Sequence, residues 1–367
     1  MRAARFALGF VAIFVPAFVS ACSGETPEAA TGGAVAPASA NAEGASWSDD
    51  GGASLESAVP TTTAVTADVC DPLSPRASAL EVAALPEAGE APFVDALASA
   101  QSTIRVMVYL MGYGGILDTL KAKAQSGVAV KVILDVGQRD VNQKYKTLLE
   151  AAGAEVHWSD ARFPYMHAKV LIADSSAAVL STGNYARSFM LKERNFVATD
   201  RDPKDLESLT ALFDADFAGT ESDLSCTRFL VSPTNARARL VDFIRSAQTS
   251  LLVESMQFAD PEVRDAVIER ARSGVAVRVL LAQPSWITAN TRAFSLLARE
   301  NVPAKTRPYL HAKAIVVDSR AAYLGSENLS STSLDRNREV GILTEDVGVV
   351  ETMTRTFEGD WAIGTTP

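Results

Sequence analysis

Two short stretches concentrate the residues able to do chemistry. The first runs Tyr165-Met166-His167-Ala168-Lys169-Val170-Leu171-Ile172-Ala173-Asp174 and, after six further residues, Ser181-Thr182-Gly183-Asn184. The second runs Tyr309-Leu310-His311-Ala312-Lys313-Ala314-Ile315-Val316-Val317-Asp318 and, after six further residues, Gly325-Ser326-Glu327-Asn328. On a strand, residues i and i+2 share a face, so each His and its Lys point the same way. An imidazole beside an ammonium suits a phosphate: Lys neutralises non-bridging oxygens while His does nucleophilic or proton work. One His-x-Lys is commonly without function. Two copies at matching positions, using two of the chain's three histidines, are hard to explain by packing, and Lys avoids burial unless it is paired.

The elements that position these stretches are also written twice. Ser99-Ala100-Gln101 recurs as Ser246-Ala247-Gln248, and Ser126-Gly127-Val128-Ala129-Val130-Lys131-Val132 recurs as Ser273-Gly274-Val275-Ala276-Val277-Arg278-Val279, both at an offset of 147 residues. His167-Ala168-Lys169 recurs as His311-Ala312-Lys313 at 144. Order is kept and spacing drifts by three, as loop deletions produce. The pattern predicts two homologous halves, 77–225 and 226–367. Each reads as a helix (Phe93–Ala100; Ala236–Ala247), a strand (103–110; 250–257), a helix (114–125; 261–272) and a β-branched strand (129–135; 276–282). A helix follows (142–152; 291–299), then strands at 167–174 and 177–181 (311–318 and 321–325), a strand (195–199; 338–343) and a closing helix (204–217; 346–360). Strands alternating with helices predict α/β sandwich halves with mixed sheets flanked by helices. Two such halves should pack with pseudo-twofold symmetry and share a site at the axis, in a chain that works as a monomer.

With these residues in view, the sequence resembles the phospholipase D superfamily, whose signature H-x-K-x4-D followed by G-S-x-N occurs twice in single-chain members. The resemblance covers about residues 80–363. His311, Lys313, Asp318, Gly325, Ser326 and Asn328 match in full, while the first copy has Ser181-Thr182-Gly183-Asn184 at its tail. It implies a metal-free and cofactor-free two-step exchange, with His167 as nucleophile forming a phosphohistidine and His311 as general acid and then base. Lys169, Lys313, Asn184 and Asn328, with the hydroxyls of Thr182 and Ser326, would bind the phosphoryl group, and Asp174 and Asp318 would be structural. The motif alone does not say which histidine is the nucleophile. Members of the family often carry a carboxylate some 28 residues after the His, acting on the histidine of the opposite half. That implies Glu339 orienting His167 and Asn195 orienting His311. The alternatives are a neutral position at Asn195, or Glu193 serving in its place. Glu254, whose counterpart in the first half is Met107, is a candidate second carboxylate outside the catalytic set, and His157 reads as a strand-end residue.

Before the first half, Arg2 and Arg5 precede an apolar stretch from Phe6 to Val19 and then Ser20-Ala21-Cys22, the form of a signal peptide over residues 1–21. Val19-Ser20-Ala21-Cys22 resembles a bacterial lipobox, which implies lipidation at Cys22, a lipid anchor and a place in the bacterial cell envelope. Ser23, where an Asp would favour inner-membrane retention, favours the outer membrane. Residues 22–76 read as a tether rich in Ala, Gly, Ser and Pro; 23–75 hold eight acidic residues and no Lys or Arg. Such a coil reaches roughly 40 Å. Cys70 and Cys226 remain as an even pair, either disulfide-bonded in an oxidising compartment or two buried thiols.

The chain has 367 residues and a net charge of −10. Removing two signal arginines and eight tether acids leaves −4 on the rest, which is compatible with a local basic cleft. Three cysteines exclude a disulfide-rich scaffold, and three scattered histidines do not form a conventional zinc site. No apolar run of about 20 residues follows the N-terminus, so a polytopic membrane protein is excluded. The leading expectation is a phospholipase D that hydrolyses glycerophospholipids or exchanges their headgroups. A nuclease of the same superfamily comes second; an overall acidic balance and 7% aromatics lend it no support. A cardiolipin synthase, expected to carry N-terminal membrane spans, comes third, and a non-catalytic envelope binding lipoprotein is the reading from another class.

Overall fold

The computed structural model describes residues 70–367. The expected signal peptide, Cys22 and the expected tether up to residue 69 lie outside the described residues. The first half contains β1 (Glu81–Leu85), α1 (Ala91–Ser99), β2 (Thr103–Val108), α2 (Gly115–Gln125), β3 (Ala129–Leu134), α3 (Arg139–Ala151), β4 (Glu155–Trp158), β5 (Lys169–Ala173), β6 (Ala177–Ser181), α4 (Arg187–Met190), β7 (Asn195–Asp200) and α5 (Pro203–Ala218). The second contains β8 (Leu230–Ser232), α6 (Ala236–Arg245), β9 (Ser250–Ser255), α7 (Pro261–Arg272), β10 (Ala276–Ala282), α8 (Asn290–Arg299), β11 (Ala304–Arg307), β12 (Lys313–Val317), β13 (Ala321–Gly325), α9 (Ser331–Asp335), β14 (Glu339–Thr344) and α10 (Val347–Ile363). Each half is an α/β sandwich around a seven-stranded mixed sheet, ordered β1-β7-β6-β5-β2-β3-β4 and, in matching order, β8-β14-β13-β12-β9-β10-β11. β2, β3 and β4 run parallel, as do β9, β10 and β11, and the other pairings are antiparallel.

Six elements were not expected: β1, β4, β8, β11, α4 and α9. Four are short edge strands and two are single helical turns, too brief for an apolar period to emerge. β5 and β12 lack alternation for another reason: every residue in them is buried, because both faces of the sheet are covered. On one face, Leu97, Ile104, Val106, Leu120, Val130 and Leu171 form a core with the helices of the first half. Leu240, Leu251, Val253, Val267, Val277 and Ile315 do the same in the second.

Local chemistry fixes the element ends. Asp202 caps α5 by accepting from the N–H groups of Lys204 and Asp205, Pro203 opens the helix, and Gly219 closes it at a left-handed φ of 69°. Asp174 and Asp318 sit at φ of 52° and 54° in the turns after β5 and β12, a conformation that Asp tolerates well. The Asp174 carboxylate accepts from the N–H groups of Gln101, Ser102 and Thr103, and that of Asp318 from Gln248, Thr249 and Ser250. Both motif aspartates therefore tie the His-x-Lys strand to the start of its neighbour. Burial opposes their charge, and these N–H donors outweigh it and hold both pKa values below the ordinary range.

The two sheets meet with β5 beside β14, β6 beside β13 and β7 beside β12. A disulfide joins Cys70 to Cys226, closing a loop across a sequence separation of 156. Arg76 then bridges the halves, donating to Asp205 of α5 and to the carbonyl of Leu343 in β14. Among the described residues no helix is long and apolar enough to cross a membrane.

Candidate active site

The site is assembled by two segments that cross between the halves. The N–H groups of His167 and Ala168 both donate to the carbonyl of Arg338 (2.8 and 2.9 Å), and the N–H of Arg338 returns to the carbonyl of Tyr165. In the mirror contact, the N–H of His311 donates to the carbonyl of Arg194 (3.1 Å), and the N–H of Arg194 returns to Tyr309. Each arginine is then anchored by the last helix of the other half. Arg194 Nε donates to Asp360 of α10 at 2.5 Å, and Arg338 Nη2 donates to Asp216 of α5 at 3.0 Å. All four side chains are buried, so each ion pair depends on its partner for solvation. Asp216 and Asp360 are themselves 144 residues apart, as are the two arginines.

Because Arg338 and Arg194 are pinned, the residues after them are delivered to the opposite histidines. His167 Nδ1 lies 2.8 Å from Glu339 Oε2, and His311 Nδ1 lies 3.0 Å from Asn195 Oδ1. Glu339 also accepts from Ser333 Oγ and from Asn337 Nδ2 (3.1 Å). Burial alone would raise the Glu339 pKa, but the His167 ring, Lys169 and Ser333 hold it below the usual range. The carboxylate is therefore charged and acceptor-only, so His167 carries its proton on Nδ1 and presents a lone pair at Nε2. Burial, with Lys169 and Lys313 nearby, pushes the His167 pKa down to about 4 against the pull of Glu339. Burial, then Lys313, Lys169 and His167, push His311 well below its ordinary value too.

The lysines line the same space. Lys169 donates to the carbonyl of His167, and Lys313 donates to the carbonyls of His311 (2.7 Å) and Thr182 (3.1 Å), with its Nζ 3.2 Å from His311 Nδ1. Asn184 and Asn328 are buried, and neither Oδ1 has a hydrogen-bond partner among the described residues; the same holds for His311 Nε2. Buried polar atoms of this kind call for a ligand or solvent, and an amide can turn its NH2 toward a phosphoryl oxygen.

The expectation that Thr182 binds phosphate needs correction. Its hydroxyl donates to Asn195 Oδ1 (2.8 Å) and accepts from the N–H of Phe196 (3.0 Å). Its single proton is thus spent on holding Asn195. Ser326 Oγ accepts from the N–H of Val340 at 3.0 Å, which leaves its proton uncommitted by that bond. Glu254 faces away from the histidines, toward α10, in a buried cluster with Asp360, Arg194 and Arg307. Burial and the Asp360 charge push its pKa well above the ordinary value. His157 is exposed, stacked on Phe217 at 3.9 Å.

Several neighbours of the histidines were not read from the sequence. Tyr109 meets the His167 ring edge-on at 4.7 Å, and Trp286 lies 6.3 Å from His311. Ser333 and Asn337 support Glu339. Glu327 is buried, accepts from the Tyr323 hydroxyl at 2.7 Å, and is pushed up to about 8 by burial and the Glu339 charge. The Arg194 and Arg338 pair had a signal available, since Arg-Asn and Arg-Glu recur at the offset of the histidines.

The comparisons with known proteins converge on this architecture. A family model described as "Cardiolipin synthase, PLD-like domain" matches residues 93–217 and again 240–361. Curated relatives include a cardiolipin synthase of Clostridium perfringens, 27% identical over 300 residues (68% of this chain and 62% of that protein). Another is cardiolipin synthase 2 of Staphylococcus epidermidis, 22% identical over 309 residues (71% and 63%). The chain thus spans less than two thirds of the length of these relatives. The fold is shared with a solved phosphatidylserine synthase of Haemophilus influenzae (TM-score 0.61, 14% identity, 79% of this chain and 87% of that one). It is also shared with a polyphosphate kinase of Porphyromonas gingivalis (TM-score 0.61, 16% identity, 76% and 46%). With the family model covering more than half of the chain, each of its two matches holding one of the crossed histidines, the chain belongs to the phospholipase D superfamily.

Proposed function

We propose that the chain is a phospholipase D-type phosphodiesterase that cleaves glycerophospholipids or exchanges their headgroups through a phosphohistidine on His167. The observation that carries this reading is the charged Glu339 at 2.8 Å from His167 Nδ1, which aims a lone pair from Nε2 into a site lined by two lysines. In the first step Nε2 of His167 bonds to phosphorus, the bond to the headgroup oxygen breaks, and His311 gives that oxygen a proton. In the second, water or an alcohol attacks phosphorus, His311 takes the proton, and the phosphorus–nitrogen bond breaks. Lys169, Lys313, Asn184 and Asn328 stabilise the charge on the phosphoryl oxygens. The cardiolipin synthase relatives support a lipid substrate and headgroup exchange beside hydrolysis, and they favour the cardiolipin synthase reading over the nuclease one. A signal peptide, a lipid anchor at Cys22 and an outer-membrane address complete the proposal. They would concentrate the enzyme at its substrate.

The test is turnover of phosphatidylcholine and phosphatidylglycerol vesicles and of single-stranded DNA in parallel, with His167→Ala as control. Headgroup release, or exchange when a free alcohol is added, with loss in the variant, is the expected result. Cleavage of DNA without lipid turnover would move the chain to the nuclease branch. Turnover of none would favour a binding protein. Radiolabelled palmitate at Cys22, absent from Cys22→Ser, tests the anchor.

A further inference from the structure

The residues flanking the crossed arginines are exchanged between the halves. The first half reads Glu193-Arg194-Asn195 and the second Asn337-Arg338-Glu339. Each triplet holds one carboxylate and one amide around the arginine, in opposite order. In the second half the carboxylate touches the histidine and the amide supports it from behind, Asn337 Nδ2 to Glu339 at 3.1 Å. In the first half the amide touches the histidine, and the carboxylate stands behind. Glu193 Oε2 lies 3.9 Å from His311 Nδ1, is buried, and has no hydrogen-bond partner among the described residues. Burial pushes the Glu193 pKa up to about 7, against the pull of Lys313, the Asn195 side chain and Lys169 toward the charged form, so the carboxyl gains and loses its charge near neutral pH.

We propose that Glu193 is the positioning carboxylate of His311, acting through and beside Asn195 as the counter-charge of the imidazolium. This rests on the two-histidine reading above. His311 must enter the first step as a cation, because a neutral imidazole that gave up its Nε2 proton while keeping none on Nδ1 would become an imidazolate. The cation needs an acceptor at Nδ1, supplied by Asn195 Oδ1, and a negative charge nearby. The titratable groups facing His311 are Lys313 on its own strand, Lys169 and His167 across the interface, and Glu193. Lys313, Lys169 and the His167 ring oppose the cation, a backbone hydrogen bond at Thr182 favours it, and Glu193 at 3.9 Å is the carboxylate placed to add a counter-charge. A carboxylate one bond further out than Glu339 stabilises the cation less strongly, which suits a group that must release and regain a proton in each cycle. His167, in direct contact with Glu339, has the other task and keeps its Nε2 lone pair.

The experiment uses the full chain and two phosphatidyl esters in mixed vesicles, phosphatidylglycerol and the phosphatidyl ester of p-nitrophenol. The alkoxide of the first must be protonated as it leaves; the second departs as a stable anion. In single-turnover reactions Glu193→Gln is expected to slow release of glycerol about tenfold or more and release of p-nitrophenol by less than about twofold. The basic limb of the glycerol reaction moves to lower pH, because the acid form of His311 loses its counter-charge. The double variant Glu193→Asn with Asn195→Glu rebuilds in the first half the order of the second. It should recover most of the glycerol rate, with the basic limb moved to higher pH. Equal losses on both esters, an unchanged pH profile in Glu193→Gln, or failure of the double variant to recover while it melts like the wild type would each overturn the relay. Inactivity of the wild-type chain on both esters, or full turnover by His311→Ala, would defeat the phosphodiesterase reading itself.

Discussion

The two halves of this chain share strand order, crossed arginines and His-x-Lys strands, yet they differ at the positions closest to the reacting atoms. Behind His167 stands a charged carboxylate with two supporting donors, and behind His311 an amide held by Thr182. Beside the second motif lies a buried acid, Glu327, bonded to Tyr323, where the first half has Gly183 and Val179. What is common to the halves therefore builds the framework, and what differs would divide the labour in the proposed reaction. A site of two equivalent histidines would have no fixed nucleophile, whereas here the hydrogen-bond partner of each Nδ1 decides what its Nε2 presents.

The comparison is broken most severely by removing either imidazole. His167→Ala and His311→Ala should each lower phosphodiester turnover at least about a thousandfold, measured on lipid vesicles. Next comes Glu339→Gln, which removes the charged acceptor and lets the His167 proton sit on either nitrogen. A loss of about a hundredfold is expected, read from the rate of phosphoenzyme formation. In the wild type that rate should persist with falling pH to near the His167 value of about 4, because the lone pair is lost only when the ring protonates. An acid limb at 6 or above would contradict the geometry.

The shared framework is tested by Arg338→Met and Arg194→Met. Each takes the crossed cation from a buried aspartate, leaving Asp216 with Arg162 at 3.5 Å and Asp360 with Arg307 at 2.9 Å, and should cost about 3 kcal/mol of stability by denaturant unfolding. Similar losses in the two variants would confirm that the crossed pairs are equivalent. A smaller effect follows from Cys226→Ser, about 2–4 kcal/mol.

The smallest effect concerns Glu327, and its sign is informative. In the folded chain it stays protonated up to about 8, whereas the ordinary value is 4.5. Across that window the unfolded chain loses the proton and the folded chain keeps it, so stability falls as pH rises. Glu327→Gln should raise the melting temperature by a few degrees at pH 8 and leave it nearly unchanged at pH 4.

Much of this site was legible in the sequence because a repeat supplies its own control. His167 and His311 stood out by recurring, the spacing from each located Glu339 and Asn195, and the resemblance to the phospholipase D superfamily implied that these act crosswise. Thr182 was misread because a hydroxyl in a phosphate-binding motif looks the same in sequence whether its proton faces the ligand or a neighbouring amide. Ser333 left no trace, since it reaches Glu339 only through the single turn of α9. β1 and β8 were missed because each is a short edge strand whose identity comes from its partner, β7 or β14, and not from its own pattern.

The disulfide at Cys70 has a mechanical consequence. Any tension on the chain preceding it enters the domain at Cys70 and passes through a covalent bond to Cys226, on the connection between α5 and β8. With the bond intact, that load bypasses β1. With the bond reduced, the load falls on the hydrogen bonds of Arg76, Ala77 and Leu80 and then on β1, an edge strand whose one strand partner is β7. β7 begins at Asn195, so pulling in a reducing medium would peel the sheet from the strand that steadies His311. In an oxidising medium the same pull would leave the histidines undisturbed.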